Sequence, residues 1–289
     1  MGHGPLANGK ESGLRWHPVK SNSFSTPKQD THSVVAILPA RYASSRFPGK
    51  PLVDLCGKPM VQRVYEQAQQ AQTVTRVLVA TDDERIQAAV LHFGGEVVLT
   101  RPDHPTGTDR LAEVAAGLSE SIIVNVQGDE PLMSPATIDA AVQPLLDDPT
   151  LEMATTCEPL TQGEDIINPN IVKVVCNQQG FALYFSRSVI PALRLPNPLS
   201  ESVIPPGATS AHPADVWFKH TGLYVYRREF LLHFASLSPC FLEQLESLEQ
   251  LRALYHGHRI KVVKVPQASP GVDTPEDADR VRALLNSIP

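Results

Sequence analysis

No run of apolar residues approaches the roughly 20 needed to cross a bilayer, so nothing in the chain reads as a membrane span. Cysteine is scarce: Cys56, Cys157, Cys176 and Cys240 lie far apart, with no C-x-x-C pair. This spacing argues against a disulfide scaffold and a zinc site, and predicts free thiols in a reducing cytosol. Positive charge is not in excess either. A formal charge of −6 over 289 residues, with no basic tail, favours neither nucleic acid nor an anionic membrane as a partner. There is no internal repeat, and the chain is expected to be soluble and cytoplasmic.

What is present is a globular composition, 42% hydrophobic, on a chain long enough to bury a substantial core. Residues 1–32 differ in kind, being rich in Gly, Ser, Pro, Lys and His with hardly any apolar periodicity. They lack the uncharged core of a secretory signal and read as a disordered leader or a tag. The folded unit is therefore expected at 33–289.

The first apolar run, Val34-Val-Ala-Ile-Leu38, reads as a buried strand. It opens into Leu38-Pro-Ala-Arg-Tyr-Ala-Ser-Ser-Arg-Phe-Pro-Gly-Lys50, a loop carrying Arg41, Arg46 and Lys50 among small residues. Fixed cations and backbone N–H groups after a strand suit a nucleoside triphosphate. The loop is neither G-x-x-x-x-G-K-[ST] nor G-x-G-x-x-G, so P-loop and dinucleotide readings lose their support. Local basicity on an acidic chain points to a small anionic ligand.

Strands then alternate with helices. Apolar spacing predicts a helix over 60–71, strands at 76–80, 96–99 and 121–126, and helices marked by Leu111 to Leu118 and by Ser134-Pro135 onward. Thr81-x-x-Glu84 reads as a capping box opening a helix that buries Ile86, Val90 and Phe93 and stops at Gly94. This alternation specifies an α/β fold, a wound and mostly parallel (mixed) sheet flanked by helices. Ligands sit beyond the carboxyl ends of such strands. The loops after Leu38, Ala80, Leu99 and Val126 all emerge there. The second half reads as antiparallel strands at 153–157, 171–175, 181–185 and 223–226, with an exposed proline-rich loop at 196–213. Helices at 230–236 and 243–255, a strand at 260–265 and a helix from Pro275 close the chain.

Asp129 follows the strand ending at Val126, beside a glycine that would let a ligand approach. It reads as a Mg²⁺ ligand or as an Asx turn before Pro131. Asp273 precedes Thr274-Pro275, a helix cap and first residue, where an acid is equally ordinary.

The loop at 38–50 resembles the signature of sugar-activating nucleotidyltransferases, in particular the CMP-Kdo synthetase family, the 3-deoxy-manno-octulosonate cytidylyltransferases. Six further blocks match in order: His104-Pro-Thr-Gly-Thr-Asp-Arg110, Asn125-Val-Gln-Gly-Asp-Glu-Pro131, Tyr184-Phe-Ser-Arg187, His220-Thr-Gly-Leu-Tyr224, Leu248-Glu-Gln-Leu-Arg252 and Gly271-Val-Asp-Thr-Pro-Glu-Asp277. The resemblance spans about residues 33–288. It implies a nucleotide-diphospho-sugar transferase-like fold with a smaller sugar-binding and dimerisation lobe within about 160–228, and a homodimer.

The resemblance also implies CTP and Kdo as substrates, Mg²⁺ as cofactor and the product CMP-Kdo for lipopolysaccharide biosynthesis. Asp129 and Asp273 become the metal pair. Arg41, Ser44, Arg46 and Lys50 are expected on the triphosphate, with Arg46 and Lys50 steadying the departing pyrophosphate. Thr106, Gly107, Arg110 and Gln127 are expected on the nucleotide. Gln127, Arg187, His220, Gly222, Tyr224, Glu249 and Gln250 are expected on the sugar. Read without the resemblance, Arg110 could be a helix-surface residue, His220 a structural histidine and Glu249 an exposed helix face. Thr106 stands where serine is usual, and Thr221 where the family commonly has an aliphatic residue. Two alternatives are a cytidylyltransferase for another acidic sugar, such as 8-amino-Kdo, and a catalytically silent nucleotide-binding module.

Overall fold

The first strand, β1 (Val34–Ala40), is buried on both faces, and its side chains alternate between two cores. Val34, Ala36, Leu38 and Ala40 enter one cluster, while Val35 and Ile37 enter the other. Such two-sided burial is the mark of a central strand covered by helices on each face. The computed structural model describes residues 33–43, 47–160, 163–192, 216–266 and 270–287. The leader at 1–32 and the proline-rich loop at 196–213 lie outside the described residues.

After β1 and a 3₁₀ turn at Lys50–Leu52, the chain alternates through α1 (Met60–Gln69), β2 (Arg76–Thr81), α2 (Glu84–His92), β3 (Glu96–Leu99), α3 (Gly107–Ala116), β4 (Ile122–Asn125) and α4 (Pro135–Asp147). It continues through β5 (Met153–Pro159), α5 (Gly163–Ile167), β6 (Lys173–Cys176), β7 (Ala182–Ser186) and β8 (Phe218–Arg227). The last elements are α6 (Arg228–Ser236), α7 (Phe241–Glu246), α8 (Gln250–Tyr255), β9 (Ile260–Lys264) and α9 (Pro275–Ser287). The main sheet runs β3-β2-β1-β4-β8-β5-β9, with β6 paired to β8 and β7 to β6. β1 to β4 are parallel, β8 lies antiparallel to β4 and β5, and β9 is parallel to β5. The wound mixed sheet expected from the sequence is therefore present.

Helical periodicity explains the two covering layers. Val61, Val64, Tyr65 and Ala68 of α1 join Ile86 and Val90 of α2 and Ile138, Ala141, Val142 and Leu145 of α4 on one face. Leu111, Val114 and Ala115 of α3 and Phe230, Leu231 and Phe234 of α6 cover the other. No helix among the described residues is long and apolar enough to cross a membrane. All four cysteines are free.

Three local expectations change. The cap of α2 is Asp83, whose carboxylate accepts from Arg85 N; Thr81 stays in β2 because its backbone pairs with Leu99. The helix expected over 243–255 is two helices, broken where Ser247 adopts a left-handed conformation, φ 51°. The break lets the Glu246 carboxylate reach Ser186 Oγ at 2.7 Å and Arg187 N at 3.0 Å. The strand read at 223–226 extends over 218–227 and lies in the main sheet between β4 and β5. Among the described strands of the segment expected as a smaller lobe, β6 and β7 stand off the main path. Partners distant in sequence, strand neighbours for Thr81 and β8 and the β7 contacts for Glu246, accompany all three.

One charge is wholly enclosed. Lys173, with no exposed surface, donates from Nζ to Asn168 O at 2.9 Å, Ile171 O at 2.7 Å and Arg187 O at 2.6 Å. Three carbonyls satisfy all three ammonium hydrogens, although burial still holds its pKa below the ordinary lysine value. Replacing it removes a donor from three acceptors that β6, β7 and the 168–171 turn bring together. Lys173→Met is expected to lower unfolding free energy by about 3 kcal/mol, measured by urea denaturation; an unchanged midpoint and slope would contradict this.

Candidate active site

The carboxyl ends of β1 and β4 touch. An added Cβ at Gly128 would lie 2.9 Å from Pro39 O, a backbone atom that cannot swing aside. Only glycine lets the two strand ends close. Gly128 also lines the adjoining cleft, so the same missing side chain that lets the strands close leaves backbone facing that space. The contact sets Gln127 and Asp129 against the loop that leaves β1.

That loop returns through Gly49, in the left-handed region at φ 73°, and delivers Lys50. Lys50 Nζ donates to Asp129 Oδ2 at 2.8 Å and to Asp273 Oδ1 at 3.2 Å. Residues 144 positions apart in sequence therefore meet at one ammonium group. Two contacts fix Asp273 there. Val272 N donates to Asp129 O at 2.8 Å. Val272, Ala278 and Val281 also pack with Leu55 and Met60 in a small core of their own. Thr274 caps α9 as expected, its Oγ1 accepting from Asp277 N at 3.2 Å, while Asp277 accepts in return from Asp273 N and Thr274 N.

Two hollows adjoin this triad. A cleft of about 440 Å³ is lined by Arg41, Lys50, Thr106, Gly107, Gln127 and Asp129 among others. A second, of about 640 Å³, is lined by Pro169, Asn170, Arg187, Ser247 and Asp273. Arg41 crosses from β1 to the start of α3, its Nη2 donating to His104 O at 2.6 Å and Thr106 O at 3.0 Å. Thr106 is the N-cap of α3 in a reciprocal box with Asp109, so its hydroxyl serves the helix. The sequence reading began this helix near Leu111 and missed the T-x-x-D signal at 106–109.

Arg110 takes neither of the positions considered for it. It is fully buried, bonded through Nη1 to Thr100 Oγ1 and paired through Nη2 to Asp82 at 3.1 Å. Burial lowers its pKa more than Asp82 restores it. It does not line the cleft. Ser44 and Arg46 lie outside the described residues.

The residues assigned to the sugar gather around β8 and α8. Gln127 Nε2 donates to Gly222 O at 3.1 Å, at the point within β8 where Gly222 has φ 79°. Thr155 Oγ1 donates to Leu223 O at 2.6 Å and so must accept from His220 Nε2 at 2.9 Å. His220 therefore carries a proton on Nε2, and burial, which pushes its pKa from 6.5 down to about 3, keeps the ring neutral. Its ring packs against Phe185 and Tyr224. Burial first, then the Glu249 charge, raises the Tyr224 pKa well above 10. Thr221, the departure from the family pattern, keeps its buried hydroxyl satisfied by Thr156 Oγ1 and O.

Glu249 is not an exposed helix face. Its Oε2 accepts from Thr108 Oγ1 at 2.5 Å, and burial raises its pKa. Its Oε1 faces Arg252 Nη2 at 3.6 Å, and Gln250 Nε2 is buried without a hydrogen-bond partner among the described residues. Arg187 lines the second hollow with its guanidinium held by carbonyls: Nε to Glu246 O at 2.7 Å, Nη1 to Pro169 O at 3.2 Å, Nη2 to Ser247 O at 3.4 Å. Asp82, Thr108, Lys173 and Glu246 were not singled out from sequence, since their roles arise from tertiary partners. Glu130, beside Asp129, is pushed up to about 8, by burial first and then by the Asp129 charge.

A protein-family model described as cytidylyltransferase matches residues 35–260. A 3-deoxy-manno-octulosonate cytidylyltransferase of Syntrophotalea carbinolica is 55% identical over 257 residues, 89% of this chain and 100% of that protein. One of Geotalea daltonii is 55% identical over 253 residues, 87% of this chain and 98% of that protein. A solved CMP:2-keto-3-deoxy-manno-octonic acid synthetase complexed with CTP aligns with TM-score 0.79 and 44% identity, over 88% of this chain and 98% of the other.

The His220 shift makes a stability prediction. A folded-state pKa below the unfolded one means that the unfolded chain takes up the proton first, so stability is full above pH 6.5 and declines toward pH 3. Between pH 6 and 4 this residue is expected to remove about 1.4 kcal/mol per pH unit. His220→Gln lacks that loss, so its deficit relative to the parent should shrink from pH 7 to pH 4.5 in urea denaturation. A constant deficit would show that His220 is not buried neutral.

Proposed function

The chain belongs to the cytidylyltransferase family, and from that premise we propose that it transfers CMP from CTP to Kdo, releasing pyrophosphate. The observation that carries the reading is the meeting of Asp129, Asp273 and Lys50 between two hollows. One hollow suits the nucleotide and the other the acidic sugar, and the triad stands where the two would react. A silent nucleotide-binding module has no need for distant acids drawn together in this way.

The donor set fits Mg²⁺. Two carboxylate oxygens lie within 3.2 Å of one cationic nitrogen, and magnesium prefers one or two carboxylates with water and phosphate oxygens completing its shell. Held by Asp129 and Asp273, it would neutralise phosphate charge and lower the pKa of the attacking hydroxyl. Among the described residues no group of three or more His, Cys, Asp or Glu could hold a metal, so a site completed by substrate is the arrangement this chain supports.

Arg41 and Lys50 place fixed cations on the nucleotide side, aligning the α-phosphate and stabilising charge on the leaving pyrophosphate. Arg187, on the sugar side, offers a fork for the Kdo carboxylate. The anomeric oxygen forms the new bond to Pα as the Pα–O bond to pyrophosphate breaks, and the hydroxyl proton leaves to solvent. No side chain is assigned as general base. The activated sugar would supply lipopolysaccharide assembly, and the reaction is placed in the cytoplasm.

The homodimer is also part of this proposal. Leu183 of β7 and Phe241 and Leu245 of α7 are 61–69% exposed, and the two elements are joined by the Ser186–Glu246 bond. Large exposed apolar side chains on linked elements mark an interaction surface.

Two measurements check these readings. Purified protein with CTP, Mg²⁺ and Kdo is expected to release pyrophosphate, and Asp129→Asn and Asp273→Asn each to lose at least about 100-fold in kcat. Release with 8-amino-Kdo but not with Kdo would reject the assigned acceptor. By light scattering the parent should have twice the monomer mass, and Phe241→Glu with Leu245→Glu should give the monomer. A monomeric parent would overturn the dimer.

A further inference from the structure

We propose that Arg85, on the surface of α2 and outside both hollows, is a positioning residue that braces the basic loop through the ring of Tyr42. The inference rests on reading that loop as the triphosphate-binding element.

The loop leaves β1 at Arg41 and must return with Lys50 aimed at the two aspartates. Its ends are tied by Gly49 N donating to Tyr42 O at 2.9 Å. The Tyr42 side chain lies directly against Gly49: an added Cβ there would stand 3.2 Å from Cε2, Cζ and the hydroxyl. Gly49 is thus required twice, for its left-handed backbone and for the space the ring occupies. Whatever fixes the Tyr42 ring fixes the point from which Lys50 departs.

Arg85 closes over one face of that ring, which also packs against the core. Its Cζ sits 3.3 Å from the ring centroid, a close cation–π contact. The guanidinium cannot drift, because Asp83 holds it by a two-pronged bond, Nε to Oδ1 at 2.9 Å and Nη2 to Oδ2 at 2.6 Å. Asp83 also caps α2 by accepting from Arg85 N. α2 is anchored in the core through Ile86 and Val90. A continuous path therefore runs from the core through α2, Asp83, Arg85 and Tyr42 to Gly49 and Lys50. Neither Tyr42 nor Arg85 lines the 440 Å³ cleft, so the pair acts by holding the loop rather than by touching substrate. A loop held in its binding geometry spares the nucleotide the cost of ordering it.

Arg85 is 59% exposed on its side chain, so its removal should leave the fold intact. Arg85→Ala is expected to raise KM for CTP about 3- to 10-fold, with kcat and the sugar KM within twofold of the parent. Hydrogen exchange at the Gly49 amide should quicken. Arg85→Lys should recover part of the loss, because an ammonium keeps the cation–π attraction but not the fork to Asp83. Tyr42→Phe should stay near the parent, and Tyr42→Leu should match Arg85→Ala. The Arg85→Ala/Tyr42→Leu double variant should be no worse than Tyr42→Leu alone. Unchanged CTP KM and Gly49 exchange in Arg85→Ala, or losses that multiply in the double variant, would overturn the brace. Lys50→Met serves as the separate control. If it turns over CTP like the parent, the triphosphate reading of the loop fails; if it loses activity while Arg85→Ala is normal, only the brace fails.

Discussion

Two ionised carboxylates brought to one point repel each other unless a cation lies between them. Like charges about 4 Å apart repel by roughly 4 kcal/mol even at the effective dielectric of a protein surface. Lys50 meets that requirement for Asp129 and Asp273, and much of the surrounding structure serves to bring the three together. β1 and β4 must close on each other, which needs glycine at 128. The chain must return from the far edge of the sheet and pack α9 against Leu55 and Met60, which carries Asp273 in. The mixed topology follows from the same need. β8 enters antiparallel beside β4, and so places Gly222 and Tyr224 next to Gln127 and Asn125.

The two sides of the triad are built differently. On the nucleotide side the contacts are strand ends and a loop, tied by a few backbone hydrogen bonds. Around β8 and α8, where the sugar residues are expected, polar groups are driven into the core and held by one another: Thr155 between His220 and Leu223, Thr108 on Glu249, Lys173 among three carbonyls. Buried networks of this kind are rigid because any displaced member leaves an unpaired group. If the proposed sugar lies against them, such rigidity would suit discrimination, since a site built to pair hydroxyls rejects an analogue that leaves its groups unpaired.

The parallel half of the sheet was readable in the sequence because β1 to β4 and the helices between them follow simple periods, two for strands and 3.6 for helices. Residues 34–38, 60–71 and 76–80 needed no tertiary information. What escaped was governed by partners distant in the chain. Asp83 rather than Thr81 caps α2, since Thr81 is claimed by β3. Ser247 interrupts an apolar pattern that looked continuous, because Glu246 is drawn to β7. Arg110 looked like a helix-surface or nucleotide residue and is instead enclosed with Asp82 and Thr100. The convergence of Asp129 and Asp273 was legible through the family resemblance alone. Each has a local explanation, as a turn residue or a helix-start acid, and no period or spacing links positions so far apart.

An acidic chain that must hold two anionic ligands faces a further constraint: its cations have to be fixed in place without being cancelled. The structure solves this by choosing carbonyls as tethers. Arg41 is held by His104 O and Thr106 O, Arg187 by the carbonyls of Glu246, Pro169 and Ser247, and Lys173 by three more. A carbonyl accepts the hydrogen bond and sets the geometry, yet carries no formal charge, so the cation's field remains for the ligand. Arg85 follows the opposite rule. Its charge is matched by Asp83, as befits a cation that steadies a ring and faces no phosphate. Lys50 stands between these cases, matched by carboxylates that a divalent ion would also claim. Among the described cations of the proposed site, its ammonium is the one whose partners a bound metal would also take, so its charge would be free to follow the leaving pyrophosphate in the proposed reaction.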